Sequence, residues 1–429
     1  MDIANFIKNL IFKGKLDQAT EILNNLLSKD KNNPIVYNLL GVIETQYKNF
    51  KKAEIFFDKA IKLDSKYSEA YYNLGALLHN QGKFNNAEIN FLKAILYKKK
   101  YINAIFLLGQ NYFYQRKLYK SIECYLNILS FQPNHNDSFI STLNALTYTN
   151  EKLNFQNDII RCDNNLKEIP IEIDLNKKIL DEEIKIFVKK ILKTINYDLL
   201  YHQSLNTQTY KQNYIELKCD RHHKVFNTFS IIPKFCFSCF KIQICPKNII
   251  DIIKLYLFFN NSNLLQKNNK KCFVEMRDNI PGTYKGLIYC SSLEEAEKLK
   301  DELKVILRTI IDKDILIEIK RGCSEFSKRF KEYSIIKKDE LMRYNSDWKN
   351  FENEIDKFIP IKDKIDNDVK LKTYNNLNLK DALAILNFIR YAKVINDKSY
   401  DSLIDLEIPD SPLLNINLVF QKELRKIPE

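Results

Sequence analysis

Three glycines, Gly41, Gly75 and Gly109, stand 34 residues apart, and one pattern recurs around each of them. Twelve residues after each glycine comes a small side chain: Ala53, Ala87 or Ser121. Four further on is an aromatic, Phe57, Phe91 or Tyr125, and three beyond that stands Ala60, Ala94 or Ile128. A period of this length holds two antiparallel helices. The small residues fall where helices approach closely, and the aromatic fills the gap between successive pairs. One such pair cannot bury its apolar face alone, so the first third of the chain must stack its pairs into a solenoid.

The aligned segments "YNLLGVIETQYKNFKKAEIFFDKAI", "YNLGALLHNQGKFNNAEINFLKAI" and "FLLGQNYFYQRKLYKSIECYLNIL" resemble the tetratricopeptide repeat (TPR) family. The family's large residue before the glycine is Tyr37, Tyr71 or Ile105, and its leucine is Leu40, Leu74 or Leu108. Its late proline appears only as Pro133. A degenerate first repeat fits "LDQATEILNNLL", with Ala19 and Leu23 in register and Ile7 at the glycine position. A fading fifth unit follows through "DSFISTLNAL", so the resemblance covers roughly residues 2–150. It implies an α-solenoid that takes a protein or peptide along its concave face, lined mainly by the first helix of each pair. By the family's spacing that face carries Asn38, Val42, Tyr72, Ala76, His79, Phe106, Gln110 and Phe113. None is a lysine or arginine, so the clamp some members use for a C-terminal carboxylate is not expected. His79 reads as a groove or surface residue.

Beyond the repeats the pattern changes. "NNLKEIPIEIDLNKK" reads as a connector and "DEEIKIFVKKILKTI" as an amphipathic helix. Short alternating runs then separate helical ones: strand "FKIQI", helix "PKNIIDIIKLYLFF" started by Pro246, strands "KCFVEMRD" and "TYKGLIYC" as a hairpin, helix "SSLEEAEKLKDELKVILRTI", and strand "ILIEIKRG". Ser292 and Glu295 form a capping box for that last helix. The order β-α-β-β-α-β is that of a ferredoxin-like α+β domain, and right-handed crossovers give the spatial strand order 4-1-3-2. The expected organisation is residues 1–150 as the repeat domain and 151–234 as a helical connector. Residues 235–326 form a cysteine-rich ferredoxin-like domain, and 327–429 a mostly helical C-terminal region. There Trp348 is a packing anchor, "LKDALAILNFIRYAKVI" the clearest helix, and "IPDSPLLNINLVF" an extended arm.

Nine cysteines, an odd number without regular spacing, argue for metal or thiol chemistry over a disulfide framework. In the expected topology Cys236 and Cys239 open the first strand and Cys272 the second, while Cys290 ends the third and Cys323 follows the fourth. All five then gather at one end of the sheet, with Cys245 at the other. Cys219-x-x-His222 feeds into the crowded end, and thiolate and imidazole pairs two residues apart suit a tetrahedral ion. The expected ligands of a structural zinc are Cys219, His222, Cys236 and Cys239, with Cys272, Cys290 and Cys323 as alternates and His223 competing with His222. Iron–sulfur, a reactive thiol and simple packing thiols are the competing readings. Cys124 and Cys162 read as buried packing thiols. If the chain is an enzyme, Cys323 is the candidate nucleophile, with Arg321 lowering its pKa.

The formal net charge of +13 invites a nucleic-acid partner. The excess is lysine scattered between acids, as A+T-rich coding produces, and there is no dense basic run. "YKGLIYC" is similar to the third strand of an RNA-recognition motif, with Lys285, Gly286 and Tyr289 in place. Leu287 stands where an aromatic should stack on a base, and Ile288 replaces a small residue. The outer sheet face carries Lys241, Glu275, Arg277, Glu318 and Lys320 in mixed charge. RNA binding is therefore kept as an alternative and not favoured. Phosphate-cradling glycine loops, Gly-x-Ser-x-Gly and His-Glu-x-x-His are absent from the sequence. The start "MDIANFIKNLIFKGK" lacks a signal-peptide pattern, and no apolar run is long enough to span a bilayer. A cytoplasmic protein is expected.

Overall fold

The computed structural model describes residues 3–171, 174–200, 207–212, 217–276, 280, 282–359 and 371–410. They fall into two compact units, one up to Ala145 and one from Leu146 onward. The first unit is all helical: α1 (Ile3–Phe12), α2 (Leu16–Lys29), α3 (Pro34–Gln46), α4 (Phe50–Leu63), α5 (Ser68–Asn80), α6 (Phe84–Tyr97), α7 (Ile102–Tyr114), α8 (Leu118–Phe131) and α9 (Asn136–Leu146). Pairs form as the period demands. A Cβ on Gly41 would lie 2.5 Å from the Phe57 ring, one on Gly75 2.8 Å from Phe91, and one on Gly109 2.6 Å from Tyr125. Each glycine is therefore the space its aromatic needs. Ala19 and Leu23 are fully buried, as the degenerate first repeat requires.

The second unit contains α10 (Asp158–Lys167), α11 (Asp181–Thr194), the one-turn α12 (Tyr197–Leu200), β1 (Gln208–Lys211), α13 (Cys219–Phe229), β2 (Phe240–Cys245) and α14 (Ile249–Asn261). It continues with β3 (Lys270–Val274), β4 (Tyr284–Cys290), α15 (Leu293–Ile310), β5 (Leu316–Arg321), α16 (Trp348–Phe358) and α17 (Leu379–Val394). The segments expected as connector, sheet domain and C-terminal region thus share one unit. The five strands pair antiparallel in the order β1-β3-β4-β2-β5. Within it, β5-β2-β4-β3 is the 4-1-3-2 order that right-handed crossovers dictate.

Strand β1, which the sequence reading missed, pairs with the free edge of β3. Helices α14 and α15 pack on one sheet face and α17 on β1. α14 is buried on every side, which explains its mostly apolar run, interrupted by Asp251 and Lys254. Asn248, not Pro246, begins it: the Asn248 side chain accepts from the Asp251 N–H at 2.9 Å. The Arg277 position and the tail from residue 411 onward lie outside the described residues. Among the described residues no helix is long and apolar enough to cross a membrane.

Candidate functional site

Cys219 is the first residue of α13, Cys236 sits in the 3-10 turn Lys234–Phe237, Cys239 directly precedes β2, and Cys323 follows β5 through Gly322. The Cys323 thiol hydrogen-bonds with those of Cys219 and Cys236, and Cys239 lies within electrostatic reach of both Cys219 and Cys323. Gly322 makes this approach possible. Its N–H donates to the Cys239 carbonyl at 2.9 Å, and a Cβ there would collide with the Cys239 sulfur. Cys236 and Cys323 are buried with Ile232, Phe326 and Tyr333, and Trp348 packs against them as expected. The Tyr333 hydroxyl donates to the Cys236 carbonyl at 2.9 Å.

Cys219, Cys239 and Cys323 are held protonated. The Cys323 hydrogen bond, with burial, pushes Cys219 far up. Burial and Cys219 raise Cys239 to about 11. For Cys323 the Cys219 bond acts downward, but the Cys236 bond and burial prevail and raise it to about 12. A nucleophilic cysteine needs the reverse. Arg321, expected to lower the Cys323 pKa, spends its guanidinium elsewhere. It donates to the Phe237 carbonyl at 2.7 Å and the Tyr333 carbonyl at 3.1 Å, and stacks over the Phe240 and Tyr333 rings. Its Nη2 is buried with no hydrogen-bond partner. Lys241 is buried beside the same thiols, donating to the Gly322 carbonyl at 3.0 Å.

Three expected positions differ. His222 stacks on Phe235 at 5.2 Å, and burial, then the Arg221 charge, hold it down to about 4. In a helix, a residue three positions on lies about 4.5 Å further along the axis, and there the Phe235 ring takes up the imidazole. His223 faces Phe326 at 5.7 Å. Cys272 pairs with Gly286, which pairs with Ile244, whereas Cys290 pairs with Phe240. Cys272 therefore sits four rungs, about 13 Å, from the crowded end. The cause is that β3 begins at Lys270 opposite Ile288, so the β4 end overshoots it. Cys290 does reach the rim, where burial, Glu295 and Cys239 push its thiol up to about 12. Among the described residues, no group of three or more His, Cys, Asp or Glu side chains stands ready around a metal position.

The outer sheet face is internally paired. Lys285 meets Glu275 at 3.4 Å and Lys320 meets Glu318 at 2.9 Å. In the repeats, Tyr72, Phe106, Gln110 and Phe113 are half-buried along α5 and α7. Asn38 and His79 are instead buried between helices. Asn38 accepts from Asn73 at 2.8 Å, and His79 Nδ1 pairs with Asn111 Oδ1 at 2.9 Å. His79 is therefore neither a groove nor a surface residue, because the next helix pair closes over it. Tyr67 and Tyr101, not named from the sequence, stand beside Tyr72, with the Tyr72 and Tyr101 rings 5.2 Å apart.

Two family models described as Tetratricopeptide repeat match residues 35–67 and 56–89. Among solved structures, a crystal structure of MamA is 27% identical over 34% of this chain and 83% of that one, with a TM-score of 0.30. YrrB, described as a TPR protein with an unusual peptide-binding site, is 20% identical over 34% and 74%, with a TM-score of 0.29. PilF of Pseudomonas aeruginosa is 17% identical over 47% and 91%, with a TM-score of 0.34. Comparison with curated proteins finds no match. With the repeating glycine–aromatic contacts, the two family matches establish that the N-terminal helical unit is a tetratricopeptide-repeat array.

Proposed function

We propose that this chain is a protein-interaction adaptor. Its TPR array takes a protein segment, and its second unit, a ferredoxin-like α+β fold widened by the edge strand β1, is stapled by a structural zinc ion. The array itself carries the adaptor reading. Its first helices present half-buried Tyr72, Phe106, Gln110 and Phe113, a mixed aromatic and polar lining suited to a peptide. The test is selection of a displayed peptide library on the full chain. Enriched peptides should bind at least tenfold more weakly to the Tyr72→Ala, Phe106→Ala double variant. Enrichment of nothing, or of peptides indifferent to both changes, sinks the groove.

The zinc reading moves from the expected His222 to Cys323, giving Cys219, Cys236, Cys239 and Cys323 as ligands. Their chemistry suits the ion: Cys236 and Cys323 share one buried cluster, and the half-buried Cys219 and buried Cys239 lie within electrostatic reach of Cys323. Four thiolates around Zn²⁺ leave a charge of −2. The buried cations Arg321 and Lys241 stand beside them, and Arg321 Nη2 has a hydrogen bond still to give. Taking the ion requires the thiols to release their protons and mutual hydrogen bonds. The ion, when bound, would cross-link α13, the turn before β2 and the end of β5. Elemental analysis of the zinc-reconstituted full chain should find one zinc. His222→Ala should keep it and Cys236→Ser lose it. A metal-free chain after reconstitution, or zinc retained without Cys236, rules the staple out.

A further inference from the structure

Away from the thiols, the β1–β3 edge holds an electrostatic imbalance. Lys211 and Lys270 are direct cross-strand partners, so their side chains share one sheet face, and both are buried. Like charges directly opposite each other repel, and burial removes the water that would screen them. Lys211 is fully served: it pairs with Asp381 at 2.6 Å and donates to the Tyr374 and Asn376 carbonyls at 2.9 and 3.1 Å. Lys270, 2% exposed, has no hydrogen-bond partner for its Nζ. Half-buried Lys372 adds its charge at Lys270, and half-buried Lys380 adds its own at neighbouring Lys211. Two carboxylates stand nearby: Asp163, paired with Lys167 at 2.8 Å, and Asp381. Asp381 is already engaged by Lys211, the Tyr256 hydroxyl and Asn378.

From this geometry we infer that Lys270, with Lys372 and Lys380, forms a binding site for a phosphate-type oxyanion at the sheet edge beside α17. The first amides of α17 do not supply the charge, because Asp163 accepts from the Leu379 N–H and Asn378 from the Asp381 N–H. Ammonium groups on flexible stems are what remains, and lysines bind phosphate as point charges. The half-buried pair gives the site a wet side, while Lys270 supplies the buried anchor. Without an anion, burial and then the Lys211 charge hold Lys270 down to about 7, which marks how poorly this place accommodates an uncompensated cation.

The test uses the full chain and inorganic phosphate at neutral pH, titrated against sodium chloride at matched ionic strength. Calorimetry and thermal unfolding are the readouts. Saturable binding of one phosphate per chain, weakened at least tenfold by Lys270→Met, supports the site. Lys380→Met, at a half-buried position, should weaken it severalfold and serves if Lys270→Met does not fold. A parallel titration with a nucleoside monophosphate separates the sources: tighter binding than phosphate assigns the group to a nucleotide, and equal or weaker binding to the free ion. Phosphate acting no differently from chloride, or both variants binding as the parent does, overturns the inference.

Discussion

Gly322→Ala is the most direct probe of the thiol cluster. The added methyl would overlap the Cys239 sulfur and stand 3.1 Å from the Cys239 Cβ and 3.2 Å from its carbonyl oxygen. Overpacking of this kind costs about 1–3 kcal/mol. Displacing Cys239 also strains the 2.9 Å bond from the Gly322 N–H to its carbonyl, worth about 1 kcal/mol. The stiffer unfolded chain returns about 0.4–1 kcal/mol, because no positive φ at Gly322 penalises alanine. The expected net loss is about 1–3 kcal/mol. The assay is urea unfolding followed by the fluorescence of Trp348, the sole tryptophan, which packs in the same cluster. Running it in chelator isolates packing from any metal. Because the sulfur causes the worst overlap, Gly322→Ala should cost at least about 1 kcal/mol less in a Cys239→Ala background. A loss under about 0.5 kcal/mol, or strict additivity of the two changes, would falsify the claim that Gly322 is glycine to admit that sulfur.

In the repeats, Gly75→Ala should destabilise the array by about 1–3 kcal/mol through the Phe91 ring, read by circular dichroism; Phe91→Leu should relieve part of it, and a neutral Gly75→Ala contradicts the packing account. The depressed Lys270 pKa makes stability pH-dependent. Between about 7 and the ordinary lysine value near 10.5, the unfolded chain carries a proton that the folded one has lost, so stability rises with pH across that window. The rise, at most about 1.4 kcal/mol per pH unit, should appear as the difference between the parent and Lys270→Met in phosphate-free buffer. A flat or falling difference refutes it.

Legibility followed the physics of each element. The array was readable because each repeat restates the same glycine–aromatic contact, so errors at Ile7 or Pro133 do not hide the period. Strand order followed from the β-α-β-β-α-β sequence, because chirality leaves few ways to thread it. β1 escaped because "QTYK" is short, polar and placed at an edge, so its partner β3 specifies it more than its own pattern does. The thiol rim was readable to within strand register. Cys323 was an alternate and became central; Cys272 was lost to a slip between where β3 starts and where β4 ends. His222 and the orphan Lys270 could not be judged from spacing, since folding alone sets the Phe235 ring beside one and gives the nearby Asp381 to Lys211 instead of the other.

The tie between Lys211 and residues 374, 376 and 381 spans more than 160 positions. During synthesis the helical repeats can therefore pack as each emerges, using neighbours already made. The sheet edge, by contrast, must wait with its lysines uncovered until the stretch leading into α17 has left the ribosome. The second unit is thus committed to late, non-local closure, and any truncation before Asp381 removes the acid that Lys211 needs.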